Sequence, residues 1–118
     1  MTPRPPILTV LHELLAWSID RCQDFPKSYR TTLTDRIIGL SLDAVERALE
    51  ATYSPLGPAK KTALLNLNII LEKLRFLWRI VHERRFFSAQ QHQFVCLKID
   101  EVGRMAGAWL KSLEQRKS

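Results

Sequence analysis

Seven lysines and arginines lie between residues 60 and 85, where they could bind the phosphates of a polyanion. Only Glu72 and Glu83 oppose them, so this segment has a net charge of +5. Residues 1–59 have a net charge of −1 and residues 86–118 one of +2, which together make the +6 of the chain. Charge concentrated on one element indicates a polyanionic partner more strongly than charge spread over a surface does. The candidate phosphate-binding residues are Lys60, Lys61, Arg75, Arg79, Arg84 and Arg85.

Arg75 and Arg79 are the strongest of these candidates, because a spacing of four residues places both on one face of a helix. Glu72, three residues before Arg75, can pair with it and compensate part of its charge. Arginines on such a face bind phosphates without reading the base sequence. The alternative is a solvated charged face with no ligand, which is the usual role of a run of charges.

Residues that could form a catalytic or metal site do not occur at the required spacings. His12, His82 and His92 are far apart in the sequence and fall on different predicted helices. The chain has no HExxH or ExxH pair, no Gly-rich phosphate loop and no GxSxG elbow. We therefore predict that the protein is not an enzyme and needs no metal or other cofactor, an enzyme being the least favoured alternative.

The two cysteines and the Pro-rich start bear on where the protein works. Cys22 and Cys96 lack the spacing of a redox or metal motif, so we interpret both as buried, reduced core residues. No apolar run approaches the roughly 18 residues that a membrane span needs. Residues 1–6 contain no signal-peptide core. We expect a cytoplasmic protein that does not contact a membrane.

Helical periodicity must position the basic segment, because apolar residues recur at helical spacing along the whole chain and no strand-like alternation occurs. Proline and glycine at residues 54–58 separate two of the periodic segments, and Phe86-Phe87 precedes a capping box formed by Ser88 and Gln91. Short connections between helices make an antiparallel up-down four-helix bundle the predicted fold, as one domain over residues 1–118. The predicted helices cover residues 6–23, 28–53, 59–85 and 88–114.

The third predicted helix has two apolar faces, of which one belongs to the core. Its core stripe is Leu67, Leu71, Leu74, Trp78 and Val81. At about 100° per residue a second strip lies roughly opposite, where a monomeric bundle would be polar. Scattered surface apolar residues are the alternative, but four on one strip favour a subunit contact in a homo-oligomer. The predicted interface residues are Leu65, Ile69, Phe76 and Ile80.

Three stretches carry a family resemblance: residues 25–37, residues 74–79 and residues 99–110. Together they resemble the four-helix bundle family that includes proteins encoded in intervening sequences of 23S ribosomal RNA genes. The closer similarity is to the accessory variability determinant (Avd-like) proteins of diversity-generating retroelements, and it covers nearly the whole chain after about Leu8. The pattern that favours this second group consists of Gly103, Arg104, Gly107 and Trp109.

The resemblance implies a pentameric ring of bundles with a basic surface. It further implies a protein that binds a reverse transcriptase and nucleic acid, and that supports mutagenic cDNA synthesis from a template RNA. The third-helix arginines of that family correspond to Arg75 and Arg79. The alternative is an interaction scaffold of the intervening-sequence type, whose partner would be RNA or a protein.

Overall fold

Residues 5–115 are described by a computed structural model of the chain, and their regular structure is entirely helical. Residues 1–4 and 116–118 of the predicted domain lie outside the described residues. Within the described range no strand occurs, and no helix combines the length and hydrophobicity that crossing a bilayer requires. The four α-helices are α1 (Pro6–Cys22), α2 (Asp35–Tyr53), α3 (Pro58–Glu83) and α4 (Ala89–Gln115).

Each helix packs against its neighbours in the chain, and α1 also packs against α4. This closed order of contacts is that of an up-down four-helix bundle. The bundle measures 50 × 26 × 21 Å. Lys98 on α4 donates a hydrogen bond to Glu13 on α1 at 2.9 Å, and this bond is the main cause of the raised pKa of Lys98. Polar contacts on the surface thus tie the first helix to the last.

The core consists of the apolar stripes of the four helices. All five residues of the predicted α3 stripe are buried. On α2 the stripe narrows to Ala44, Ala48 and Ala51, which are fully buried because their small side chains let α3 approach closely. On α4 the inward stripe is buried except for Trp109, which is half-buried; its buried residues are Val95, Ile99, Val102, Ala106 and Leu113. Helical periodicity is therefore a reliable guide to the core of this bundle.

The start of α2 differs from the prediction of a helix from residue 28. A 3₁₀ turn covers Lys27–Tyr29 and a π-helical turn covers Arg30–Thr34, so that α2 begins only at Asp35. Three β-branched threonines among five residues give this stretch a low helix propensity. Leu33 is nevertheless buried, which anchors the irregular turns to the core.

The capping box predicted before α4 is confirmed, and α1 begins at residue 6 as predicted. Pro6 is the first residue of α1, where a missing backbone N–H leaves no hydrogen bond unmade. Before α4, the backbone N–H of Ser88 donates to the side chain of Gln91 at 2.8 Å. The backbone N–H of Gln91 donates back to the Ser88 hydroxyl at 3.1 Å. This reciprocal capping box fixes where α4 begins after the turn from α3.

Candidate functional site

The polar face of α3 meets α4 along an antiparallel seam, which we call the α3–α4 seam. Arg75 lies opposite Asp100, and about two turns of α4 away His82 lies opposite His92. Arg79 stands between these two pairs, close enough to act electrostatically on His92 and Cys96. The seam therefore brings the strongest phosphate-binding candidates together with α4 residues that lie far away in sequence.

Arg75 is neutralised by carboxylates on both helices. Its Nη1 donates to Glu72 on the same helix, and its Nη2 donates to Asp100 on α4 at 3.0 Å. Gly103 leaves room for this crossing, because an added Cβ there would lie 3.4 Å from Nη2. The sequence indicated the contact with Glu72 but not the one with Asp100, which is a tertiary contact. We call Glu72, Arg75 and Asp100 the ion-paired middle of the seam.

Three other predicted cations cluster at the carboxyl end of α3, and we call Arg79, Arg84 and Arg85 the basic end. All three are exposed, and none forms an ion pair with any residue of the described range. Between Glu72 and Asp100 the chain has a single acidic residue, Glu83. Most of the positive charge that no carboxylate compensates thus lies at this end of the seam.

The backbone at the basic end holds an arginine where helices usually place glycine. Arg85 has φ 60, its N–H donates to the His82 carbonyl at 3.0 Å, and the next N–H, of Phe86, donates to Val81 at 3.2 Å. This is the Schellman pattern that ends a helix, with Arg85 at the left-handed position. A residue with a Cβ costs on the order of 1 kcal/mol more than glycine there. Backbone strain of this kind often occurs at functional sites.

His82 and His92 stack face to face, with ring centroids 4.3 Å apart and an interplanar angle of 6°. The sequence did not indicate this pair, although a signal existed. In an antiparallel helix pair, the residue numbers of two facing residues add up to a nearly constant value. Because Arg75 faces Asp100, the same register places His82 opposite His92. Burial, His82 and Arg79 lower the pKa of His92 from its ordinary value. The two stacked imidazole rings therefore border the basic end.

The two cysteines differ, although both are free thiols. Cys22 is buried, and burial raises its pKa to about 12. Cys96 is only half-buried, with its Sγ 3.5 Å from Nε2 of His92, so the prediction of a buried core residue is wrong for Cys96. Cys96 faces the polar α3–α4 seam, because the α4 residues that face the core are Val95 and Ile99. Within residues 5–115 no group of three or more His, Cys, Asp or Glu is placed to hold a metal ion.

The two lysines at the start of α3 lie far from the basic end and differ in their partners. Lys60 donates a hydrogen bond to the carbonyl of Ala51 near the end of α2, and its Nζ lies 5.4 Å from the ring centroid of Trp109. Lys61 is half-buried and makes no ion pair with the described residues. Lys60 thus joins three helices, a structural role that charge counting did not reveal.

The second apolar strip of α3 is exposed at three of its four positions. Leu65, Ile69 and Phe76 are 46%, 55% and 63% exposed. Ile80 is half-buried against the core, so the expectation that it is exposed is wrong. At about 100° per residue Ile80 is the strip member nearest to the core stripe, where neighbouring side chains cover it.

Phe76 borders a groove of about 460 Å³ between α2 and α3, lined also by Arg36, Leu40 and Asp43. A second exposed apolar patch lies on α2. It consists of Leu42, Leu49 and Tyr53, of which the last two line the groove between α1 and α2. The α3 strip and this α2 patch are thus two separate sets of exposed apolar side chains.

Comparison with known proteins identifies one family. A family model described as bAvd-like matches residues 7–113, a range that includes nearly all of α1 and α4 and the whole of α2 and α3. No curated protein matches the chain.

Proposed function

The chain belongs to the bAvd-like family, and on this basis we propose that it is a non-enzymatic accessory protein of a diversity-generating retroelement. The family match confirms the resemblance drawn from the motifs at residues 25–37, 74–79 and 99–110. Proteins of this family are accessory proteins, which agrees with a sequence that lacks catalytic motifs. In this role the protein binds a reverse transcriptase and its template RNA or the DNA product, and supports mutagenic cDNA synthesis.

The basic end is the observation that carries the nucleic-acid part of the proposal. Three exposed arginines without carboxylate partners can each contact a phosphate without first breaking an ion pair. Arg75 would have to leave two carboxylates to do the same. We therefore place the first phosphate contacts at Arg79, Arg84 and Arg85, with Lys61 at the far end of α3 and Arg75 and Lys60 contributing less.

The exposed strip of Leu65, Ile69 and Phe76, with Ile80 at its edge, supports a homo-oligomeric ring, pentameric by family resemblance. A ring closes through a heterologous contact, which needs two different surfaces on each subunit. The α3 strip and the patch of Leu42, Leu49 and Tyr53 on α2 are two such surfaces. Closure would repeat the basic end around an axis and multiply a modest charge patch into a strong polyanion site.

The test is co-purification of the tagged protein with the reverse transcriptase encoded by its neighbouring gene. RNA and DNA binding is then measured by fluorescence anisotropy across a salt series. We expect a stable complex with the polymerase, and nucleic-acid affinity that falls steeply as salt rises. A gene neighbourhood without a reverse transcriptase, together with a ribosomal RNA or protein partner, would instead favour an interaction scaffold of the intervening-sequence type.

A further inference from the structure

The stacked histidines stand beside the basic end and have no role in the proposed function as stated so far. We propose that His82 and His92 extend the basic end into a phosphodiester-binding site that takes up a proton when it binds. This inference rests on the proposed nucleic-acid binding and adds the two residues and their proton to it. The proton comes from the solvent, and no covalent bond changes.

The geometry makes the pair part of one surface with Arg79. The rings are half-buried rather than enclosed, and they lie 4.3 Å apart across the α3–α4 seam. Arg79 is exposed and has no carboxylate partner in the described range. A phosphodiester that contacts the Arg79 guanidinium would therefore lie within the field of both imidazoles. Imidazolium groups donate hydrogen bonds from both ring nitrogens, whereas a neutral imidazole donates from one only.

The charges around His92 favour its neutral form as long as no anion is bound. On α3, Arg79 repels a proton on His92, and His82 does the same from the facing ring. On α4, Cys96 contacts His92, and Asp100 lies one turn further along in its ion pair with Arg75. Glu83, beside His82 in sequence, is exposed. Among residues 5–115 no carboxylate is bonded to either imidazole, so an incoming phosphate would supply the missing negative charge.

The direction of the pH effect follows from this arrangement. The pKa of His92 is lowered in the free protein. A phosphate beside it would raise that pKa, because a nearby negative charge favours the protonated form. In the pH range between the pKa of His92 in the free protein and its pKa in the complex, binding takes up a proton, so affinity rises as the pH falls through that range.

A purely structural stack is the alternative, in which the rings only pack α3 against α4. The orphaned Nδ1 of His82, which is buried without a hydrogen-bond partner, argues against a stack optimised for stability. The two interpretations differ in one measurable property. A structural stack predicts the same pH dependence of binding whether or not the histidines are present.

The test measures binding of a labelled oligothymidylate of about 20 nucleotides at about pH 8 and about pH 6, at constant salt. Thymine does not titrate in this range, so any pH effect belongs to the protein. We expect the wild-type protein to bind at least about threefold more tightly at the lower pH. The double variant His82→Gln with His92→Gln should lose this gain in affinity at the lower pH. His12→Gln, which removes the exposed histidine of α1, is the matched control and should keep the full gain.

Each outcome decides between the interpretations. A double variant that retains the gain, or a wild-type protein that binds salt-sensitively with no gain, would overturn the histidine site and leave the proposed function standing. Absence of binding at both pH values would remove both. If the double variant does not fold, as judged by circular dichroism, His92→Gln alone serves, and it should lose at least half of the gain.

Discussion

Arg75 of the ion-paired middle and Arg79 of the basic end lie on the same face of α3, yet they differ in their partners. Arg75 and Arg79 are one helical turn apart and are identical in type. Across the seam Arg75 meets Asp100, whereas Arg79 meets Cys96 and His92. Glu72 on α3 and Asp100 on α4 thus compensate the charge of Arg75, whereas no carboxylate within the described residues pairs with Arg79.

The difference teaches that a count of cations overstates the charge available to a ligand. Arg75 donates to two carboxylates, and a phosphate would have to replace both of them. An exposed, unpaired arginine loses only hydration when it meets a phosphate, and the release of counterions from the nucleic acid drives the contact. Each arginine of the basic end is therefore better able to bind a phosphate than Arg75 is, although the side chains are identical.

The largest expected effect comes from removing the basic end. Replacing Arg79, Arg84 and Arg85 together with Ala should weaken binding of single-stranded nucleic acid by roughly a hundredfold or more at about 0.05 M salt. The slope of log affinity against log salt should fall by about 2 units, because each lost phosphate contact accounts for about 0.7. Anisotropy titrations across a salt series measure both quantities.

The control for this variant changes the net charge equally elsewhere. Lys27, Arg30 and Lys111 are exposed and form no ion pair within the described residues. Replacing these three with Ala should leave the salt slope nearly unchanged. Equal losses in the two triple variants would show that net charge matters and the position of the basic end does not.

A second variant tests whether assembly into a ring increases nucleic-acid affinity while the basic end itself is unchanged. Phe76→Asp places a charge at the most exposed position of the α3 strip, where burial in a subunit contact would be costly. We expect loss of assembly in analytical ultracentrifugation, retained helicity, and a drop of about tenfold or more in nucleic-acid affinity through lost multivalency.

Leu97→Asp is the matched control for that substitution. Leu97 is similarly exposed, at 58%, but lies on α4 outside the strip. Its variant should assemble and bind like the wild-type protein. If Phe76→Asp assembles equally well, the α3 strip is ordinary surface and the ring does not use it.

The two regions also show how far the sequence alone could lead. The periodicity predicted four helices and the α3 core stripe, because each apolar residue there is buried by its own helix geometry. The Glu72–Arg75 contact was predictable because it lies within one helix. Asp100, the histidine stack and the Lys60 contact were not predicted, since each depends on the register between two helices. The low helix propensity of Thr31, Thr32 and Thr34 indicated against a regular helix here, but the prediction gave more weight to the apolar periodicity.

A third experiment converts the ion-paired middle into a second basic region. Replacing Glu72 with Gln and Asp100 with Asn frees the Arg75 guanidinium while keeping the shape of both partners. We expect affinity for single-stranded nucleic acid to rise by up to about tenfold at low salt and the salt slope to steepen by about 0.7. The free energy of unfolding should fall by only about 1 kcal/mol, since both ion pairs are partly exposed.

Its control neutralises two exposed carboxylates away from the seam. Asp20→Asn with Glu114→Gln adds the same net charge on α1 and α4. Tighter binding in this control, by the same factor, would contradict the idea that Arg75 is specifically held back by its partners.

The smallest effect separates charge from backbone strain at a single residue. Arg85→Gly removes one cation of the basic end and relieves the left-handed backbone at φ 60. The free energy of unfolding should rise by about 1 kcal/mol, as glycine is favoured at this helix-ending position. Binding should weaken by a few-fold and the salt slope should drop by about 0.7, because one phosphate contact is lost.

The neighbouring residue provides the matched comparison, because Arg84 has an ordinary right-handed backbone with φ −79. Arg84→Gly should weaken binding as much as Arg85→Gly does, but it should lower the free energy of unfolding, since glycine gains nothing there and loses chain entropy on folding. Urea denaturation and salt-series anisotropy on the two variants therefore give opposite signs for stability and the same sign for binding. Should Arg85→Gly bind like the wild-type protein, the strain at residue 85 would have no connection with phosphate recognition, and the basic end would reduce to Arg79 and Arg84.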